Sequence, residues 1–477
     1  MTITNPLLLQ NPIEKVDNIA PDYVVPAISA ILKDNRDSIE RLVVQETFTW
    51  ENFMQEMEAL DNRLSRAWSP VSHLNSVCNS EALREAYNDA LALLTEYSTE
   101  LGQHKGLFAA TEALYEARDS LGLTETQIHI LKDSLIGFKL SGLHLSEDKQ
   151  KEYAKIQGRL AELKTQFEQN ILDATMSWTK NIEDASGLSG LPETELAMLA
   201  ANAEAREQSG FTITLEIPSY LAIITYADDR ALRQELYHAY NTRASELGAD
   251  QGKFDNSEVM AELLALRNQK AKLLGFNNYA ELSLETKMAA SPQEVLTFLN
   301  QLNDASHQQA VEEFEGLKAF ASEQGVEDFQ AWDVAYFSEK LKQKKFQISQ
   351  SELRPYFPVD KVIAGLFKIT EHHFNVTFKK VEGSAVWHKD VKHFEIDRDG
   401  QKVAEFYLDL YARGHKRGGA WMDDYQGRFK RTDGSLQTPT AYLTCNFAPP
   451  VKDKAEGAVE KAKDELGSLK DSFSSKK

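Results

Sequence analysis

Eleven histidines are the residues of this chain best suited to metal or acid–base chemistry, and their spacing decides what is open to them. A hydrolytic metal helix needs two histidines four apart with a glutamate beside the first, so that both rings leave one face and the carboxylate can activate water. The histidines are His73, His104, His129, His144, His238, His307, His372, His373, His388, His393 and His415. No two are four apart, so neither HExxH nor HxxEH occurs. Glu371-His372-His373 points adjacent rings in different directions from a helix, which suits a metal poorly. His388 and His393 flank the start of a strand and could meet there, but surface histidines are the better reading. Spacing therefore assigns no metal ligand.

Other chemistries find no better support. Lys416-Arg417-Gly418-Gly419 sets two cations before two glycines, but it lacks the GxxxxGK[ST] pattern and stands at a strand exit rather than ahead of a helix. A tight turn that needs glycine torsions is the better reading. No GxSxG elbow occurs. Cys78 and Cys445 form no CxxC, no disulfide framework and no recognisable Cys–His pair.

The elements that would position any site are mostly helices. Residues 20 to about 205 read as almost wholly helical, with Pro21 and Pro26 bracketing the first helix. Over 147–176, Tyr153, Ile156, Leu160, Leu163, Phe167 and Ile171 recur every three or four residues, one apolar stripe for a neighbouring helix. Ser186–Pro192 reads as a loop before another helix near Glu193–Gln208. Phe211–Ile217 alternates apolar and polar as a strand does, until Pro218 stops it. The run from Tyr220 to Arg230 resembles a helix N-terminus with acidic capping. Helices resume from Asp228 to about Lys344, broken at Gly248, Gly275 and Gly325. A late β region follows: a strand at 376–381, a hairpin of His393–Ile396 and Val403–Leu410 around Asp399-Gly400, and a strand at Thr440–Phe447. The expected domains are 1–205, helical; 206–450, helices leading into the small sheet; and 451–477, a Lys/Glu/Ala-rich tail.

Composition narrows the partners. A chain of 477 residues exceeds what one hydrophobic core usually serves, so two or three lobes are expected. A formal charge of −20 works against nucleic acid or an anionic membrane as partner, although solubility explains it equally well. The N-terminus reads as neither signal peptide nor anchor, and no apolar run approaches the roughly 20 residues that span a bilayer. The simplest address is cytoplasmic, and oligomeric state stays open.

Several long blocks together resemble the thimet-type zinc oligopeptidases. They are Ile217–Tyr220, Thr225–Arg233 and Tyr240–Ser245; Leu266–Phe276 and Tyr279–Leu282 with Lys287–Ala289; and Ala331–Asp333 with Tyr336. The most specific is Glu405–Arg413 with Lys416–Asp424, and the resemblance covers about residues 5–450. Gly414-His415 is a local departure. The resemblance implies a mainly α, two-lobed, zincin-like molecule with a small late β-sheet and a deep narrow channel. It implies hydrolysis of short peptides in intracellular peptide turnover, with one zinc ion polarising the scissile carbonyl and activating water. It also implies that a strand just upstream of the zinc helix pairs with substrate backbone. By position that strand is Ala441, Tyr442, Leu443, Thr444, Cys445 and Asn446, taken as an edge strand; an interior strand that only packs is the alternative.

In that family the HExxH helix follows this strand closely, but here Pro449-Pro450 leads into Val451 and the tail. The expectation is a catalytic lobe truncated before its zinc ligands. No catalytic residue carries over, no zinc is expected to bind specifically, and the alternative to a working peptidase is an inactive form with at most residual peptide binding. In the tail, Ala455, Val459, Ala462, Leu466, Leu469 and Phe473 recur at an a/d-like spacing, a marginal amphipathic helix that is solvated or loosely docked.

Overall fold

The computed structural model describes residues 5–431 and 433–450. The amphipathic helix expected beyond residue 450 lies outside the described residues.

Helices come first and dominate. They are α1 (Val24–Leu42), α2 (Gln55–Val77), α3 (Glu81–Gly102), α4 (Lys105–Glu116), α5 (Glu125–Leu140) and α6 (Glu147–Ser177). A short ribbon follows, β1 (Thr179–Ile182) antiparallel to β2 (Phe211–Thr214), with α7 (Glu193–Glu204) between them. Then come α8 (Ile217–Tyr226), α9 (Arg230–Asn241), α10 (Ser257–Leu273), α11 (Tyr279–Leu284), α12 (Pro292–Glu323), α13 (Val334–Phe346), α14 (Gln350–Leu353) and α15 (Val359–Phe374). The late sheet holds β3 (Thr377–Val381), β4 (Lys392–Arg398), β5 (Gln401–Tyr411), β6 (Trp421–Gln426) and β9 (Thr440–Phe447), with the small pair β7 (Phe429–Lys430) and β8 (Leu436–Gln437) beside it. The chain is mainly α with a small late sheet, as the sequence suggests. No helix among the described residues is long and apolar enough to cross a membrane.

The long α6 forms where its stripe predicts, and Tyr153, Ile156 and Leu163 are buried. Its neighbours are α3 and α10, the latter meeting Leu163 with Val259 and Leu263. Three local expectations need correction. Pro26 does not close a helix but sits in the first turn of α1, where its missing N–H costs nothing. The strand at 211 ends at Thr214, because Pro218 serves the first turn of α8 and Ile217 already belongs to that helix. All four residues of β2 are buried rather than alternating, and its partner β1 interrupts the helical half. The acidic cap is real and belongs to Asp229, whose Oδ1 accepts from the N–H groups of Ala231 and Leu232 at the start of α9.

The β4–β5 hairpin turns on Asp399 (φ 50°) and Gly400 (φ 78°), the paired positive torsions of a type I′ turn. Strand order in the sheet is β3-β4-β5-β9-β6, antiparallel throughout except that β9 runs parallel to β5. One face is covered by α2 and the N-terminal turns, where Ile13, Val16 and Leu74 pack on Tyr407, Tyr425 and Tyr442. Phe394, Leu408 and Leu410 line the other face against Phe367 of α15. Solvent-facing apolar side chains remain on α12 (Leu296, Phe298, Leu299, Leu302) and α15 (Val362, Leu366, Ile369), and no element among the described residues covers them.

Candidate functional site

The strand expected to meet substrate forms at Thr440–Phe447, but it is not at the edge of the sheet. Over Thr440–Thr444, β9 pairs with β5 on one side and β6 on the other, so Ala441, Tyr442, Leu443 and Thr444 have no open backbone flank. The reason is visible in its side chains. Tyr442 is fully buried in the α2-facing cluster, while Leu443 and Cys445 pack on the opposite face, the two-sided burial of a central strand. Asn446 braces the loop ahead of β6, since its Nδ2 donates to the carbonyls of Arg417 (3.0 Å) and Gly419 (2.6 Å).

The edge strand beside β9 is β6, Trp421–Gln426, and β3 forms the opposite edge of the sheet. The Asp424 carbonyl turns away from β9 and accepts from Ser69 Oγ of α2 at 2.9 Å. Strand alternation therefore puts the N–H and C=O of Met422 on that same outer flank. The sequence does carry a signal for this edge. Asp423 and Asp424 lie exposed in β6, and charged residues on a strand are the usual means of keeping an edge soluble. Between β6 and α2 runs an open cleft of about 620 Å³, lined among others by Glu58, Asp61, Trp68, Asp423 and Asp424. Burial pushes the carboxyls of Glu58 and Asp61 up from their ordinary values. A larger cavity of about 830 Å³ between α1, α3 and α6 touches no strand of the sheet.

The loop that delivers the chain to β6 is fixed by a buried charge cluster. Lys416 is fully buried, and its Nζ donates to Asp409 Oδ1 (2.8 Å) and to the carbonyls of Tyr411 (2.8 Å) and Cys445 (2.7 Å). Arg413 grips the same carboxylate with both Nη atoms, at 2.7 and 2.8 Å, and Trp387 Nε1 adds a third donor at 2.8 Å. The cluster also reaches α2, because Arg413 Nη2 donates to the Val77 carbonyl and the Arg417 N–H to that of Ser76. Gly419, at φ 97°, completes the tight turn expected of this segment.

Burial opposes ionisation of Asp409, but the bonds from Arg413, Lys416 and Trp387 outweigh it and hold the carboxyl down to about 2. Glu405 behaves alike: burial works against its charge, and His393, Lys402 and Thr440 hold it down to about 2. A depressed carboxylate stabilises the fold above its unfolded pKa of about 4, and the contribution is lost as pH falls through the folded value. The two carboxylates should therefore lower the unfolding free energy measured in urea between about pH 4 and 2, by the order of 2 kcal/mol each. This lies beneath an earlier fall that begins near pH 6.5, where the unfolded chain protonates the histidine that is buried neutral at His73. The Asp409→Asn and Glu405→Gln variants should each flatten the lower of the two falls.

The histidines form no centre. His393 is buried, not superficial: it lies flat on Tyr407 with Nδ1 2.7 Å from Ser384 Oγ. His388 faces Asp390 instead and does not join it. His73 is stacked on Tyr442 at 3.8 Å, with neither ring nitrogen hydrogen-bonded, and burial drops its pKa to about 3, so it packs as a neutral ring. Among the described residues no group of three or more His, Cys, Asp or Glu is arranged to hold a metal ion.

Two family models match this chain. "Peptidase family M3" covers residues 223–458, and "Neurolysin/Thimet oligopeptidase, N-terminal domain" covers 28–150. Oligopeptidase A of Haemophilus influenzae is 50% identical over 456 residues, which is 95% of this chain and 67% of that protein. Oligopeptidase A of Escherichia coli is 50% identical over 455 residues, with the same coverage. Organellar oligopeptidase A of Arabidopsis thaliana is 35% identical over 467 residues, 94% of this chain and 58% of its own length.

Proposed function

The chain belongs to peptidase family M3, whose members are zinc-dependent metallopeptidases acting on peptides, and from that membership we propose that its own residues form the peptide-holding side of such an enzyme. The observation that carries this reading is the outer flank of β6 along the α2 cleft, where Ser69 and Asp423 take the polar groups of the Asp424 backbone and those of Met422 turn away from β9. A short unfolded peptide adds there as a further strand, bonded through backbone and therefore with little demand on side-chain identity. The proposed ligands are short peptides, and the proposed setting is cytoplasmic peptide turnover of the kind carried out by oligopeptidase A.

Zinc does not fit the residues present. No two histidines among all 477 residues stand four apart, His73 and His393 are committed to aromatic stacking, and no ligand cluster exists among the described residues. No hydrolytic step is therefore derived for these residues, and we propose that the 477-residue chain binds peptide without cleaving it. The purified chain should carry far less than one zinc per molecule and leave an internally quenched peptide intact. Stoichiometric zinc with chelator-sensitive turnover would overturn that.

The binding mode has its own test. Met422→Pro removes one outward N–H where an edge strand tolerates proline. It should weaken a fluorescent hexapeptide by roughly 1 kcal/mol with little change in urea stability. A hexapeptide N-methylated at alternate residues should lose more. If both changes leave anisotropy titrations unmoved, peptide does not add to β6.

A further inference from the structure

A second, smaller cavity of about 270 Å³ opens at the other end of β6, between α6, the end of α9 and the loop that enters the strand. Its lining is unlike the acidic cleft. The Arg243 guanidinium sits over the Tyr240 ring at 3.7 Å from its centre, and Tyr240 is stacked in turn on Tyr220 at 3.9 Å, so the guanidinium is held in place. Its hydrogen bonding is nearly empty: Nη1 makes one long contact to Thr175 Oγ1 at 3.4 Å, and the buried Nε has no partner. Arg417 enters the same cavity, braced over the Trp421 ring at 4.5 Å. Neither N–H of Gly418 or Gly419 is hydrogen-bonded among the described residues, and the space where each Cβ would stand is open. The two carboxylates on the lining do not neutralise the arginines. Glu168 stands exposed at the rim, and burial pushes the Glu216 carboxyl up while Thr214 Oγ1 donates to it.

Two braced guanidiniums with spare donors, next to two open backbone N–H groups, make a receptor for a planar anion. Which anion follows from the strand. A peptide paired antiparallel to β6 ends its chain beside Trp421, and the cavity lies there; its amino end points toward Asp423, Asp424, Glu58 and Asp61. We propose that the Arg243–Arg417 pocket binds the C-terminal α-carboxylate of the peptide laid along β6, fixing its direction and favouring ligands that end there. This rests on the β6 reading of peptide binding. Arg243 and Arg417 act here as binding and specificity residues.

The test uses the full chain and three N-terminally fluorescent hexapeptides in anisotropy titrations. One has a free C-terminus, one a C-terminal amide, and one a C-terminal amide with aspartate as its last residue. The free acid should bind at least about tenfold tighter than the plain amide, the range expected for charge-assisted hydrogen bonds. In Arg243→Met, which keeps a long apolar side chain over Tyr240, and in Arg417→Met, the acid-to-amide ratio should fall to about one. The acid-versus-amide comparison on the unaltered chain does not depend on either variant folding. Equal binding of acid and amide would overturn the carboxylate pocket while leaving strand addition standing. Full rescue by the aspartate amide would overturn the α-carboxylate assignment, because a side-chain carboxylate would serve as well. No binding of any peptide would overturn both this proposal and the β6 reading.

Discussion

Asp409→Ala is expected to lower the unfolding free energy by about 3–5 kcal/mol, the usual cost of removing one partner of a buried ionic cluster. The carboxylate is almost fully buried and accepts from Arg413, Lys416 and Trp387. Alanine leaves the fully buried Lys416 ammonium with carbonyl acceptors but no countercharge. Lys416→Met should cost less, since Asp409 keeps its two-pronged bond to Arg413. The double variant should then be more stable than the sum of the single losses predicts. Burial already pulls the Lys416 pKa down, against the pull of Asp409, so the lysine has little else to keep it charged. Urea titrations followed by helix signal and tryptophan fluorescence measure all three. A loss below about 1 kcal/mol for Asp409→Ala would mean that Lys416 finds water or loses its proton at little cost. Peptide affinity gives an independent readout, because the cluster anchors the 412–420 loop to α2 and so sets where β6 begins.

That cluster shows what a sequence can and cannot reveal. Local signals serve well where one element decides its own form. The stripe on α6, the Asp399-Gly400 turn and the bounds of β9 all follow from neighbours within a few residues. Strand order is different, because it is set by pairing across long separations. The sequence reads as a strand at Ala441–Asn446 but shows none at Trp421–Gln426, so the strand that closes the sheet next to it is not visible there. The clues are the apolar residues on both faces of β9 and the paired aspartates of β6, and they distinguish a central strand from an edge one. β1 is hidden for a similar reason: Thr179–Ile182 is too short to show a period and owes its form to β2. Arg243 lies in the Tyr240–Ser245 block of the resemblance, but nothing in that block indicates what its guanidinium does. Its spare donors exist only because α6, Tyr240 and the Gly418-Gly419 loop meet around it.

Asp333→Ala should match the Asp409 loss in size, about 3–5 kcal/mol, for the same physical reason in a different part of the fold. Asp333 is fully buried at the turn before α13, where it accepts from Arg230 Nη2 (2.8 Å), Arg233 Nη2 (2.8 Å) and the Gln330 N–H (3.0 Å). Arg233 is itself buried, its other Nη bonded to the Ala227 carbonyl at 2.7 Å and its guanidinium resting 4.0 Å from the Tyr336 ring. Tyr336 in turn donates to Asp228 Oδ1 at 2.7 Å. Two sequence blocks that resemble the M3 peptidases separately, Thr225–Arg233 and Ala331–Tyr336, are thus one interlocked cluster joining α9 to α13. Burial opposes the Asp333 charge, but the two arginines and the Gln330 N–H outweigh it and keep the carboxyl below its ordinary value. Truncation would strand the Arg233 guanidinium in a pocket with carbonyl acceptors and an aromatic face but no countercharge. Arg230 is partly exposed and can turn to water, so Arg230→Ala should cost much less, within about 1 kcal/mol. The ranking separates two explanations of the cluster. If Asp333→Ala and Arg230→Ala cost the same in urea titrations, the exposed pair holds the helices together; a large excess for Asp333 gives that role to the buried Asp333–Arg233 pair.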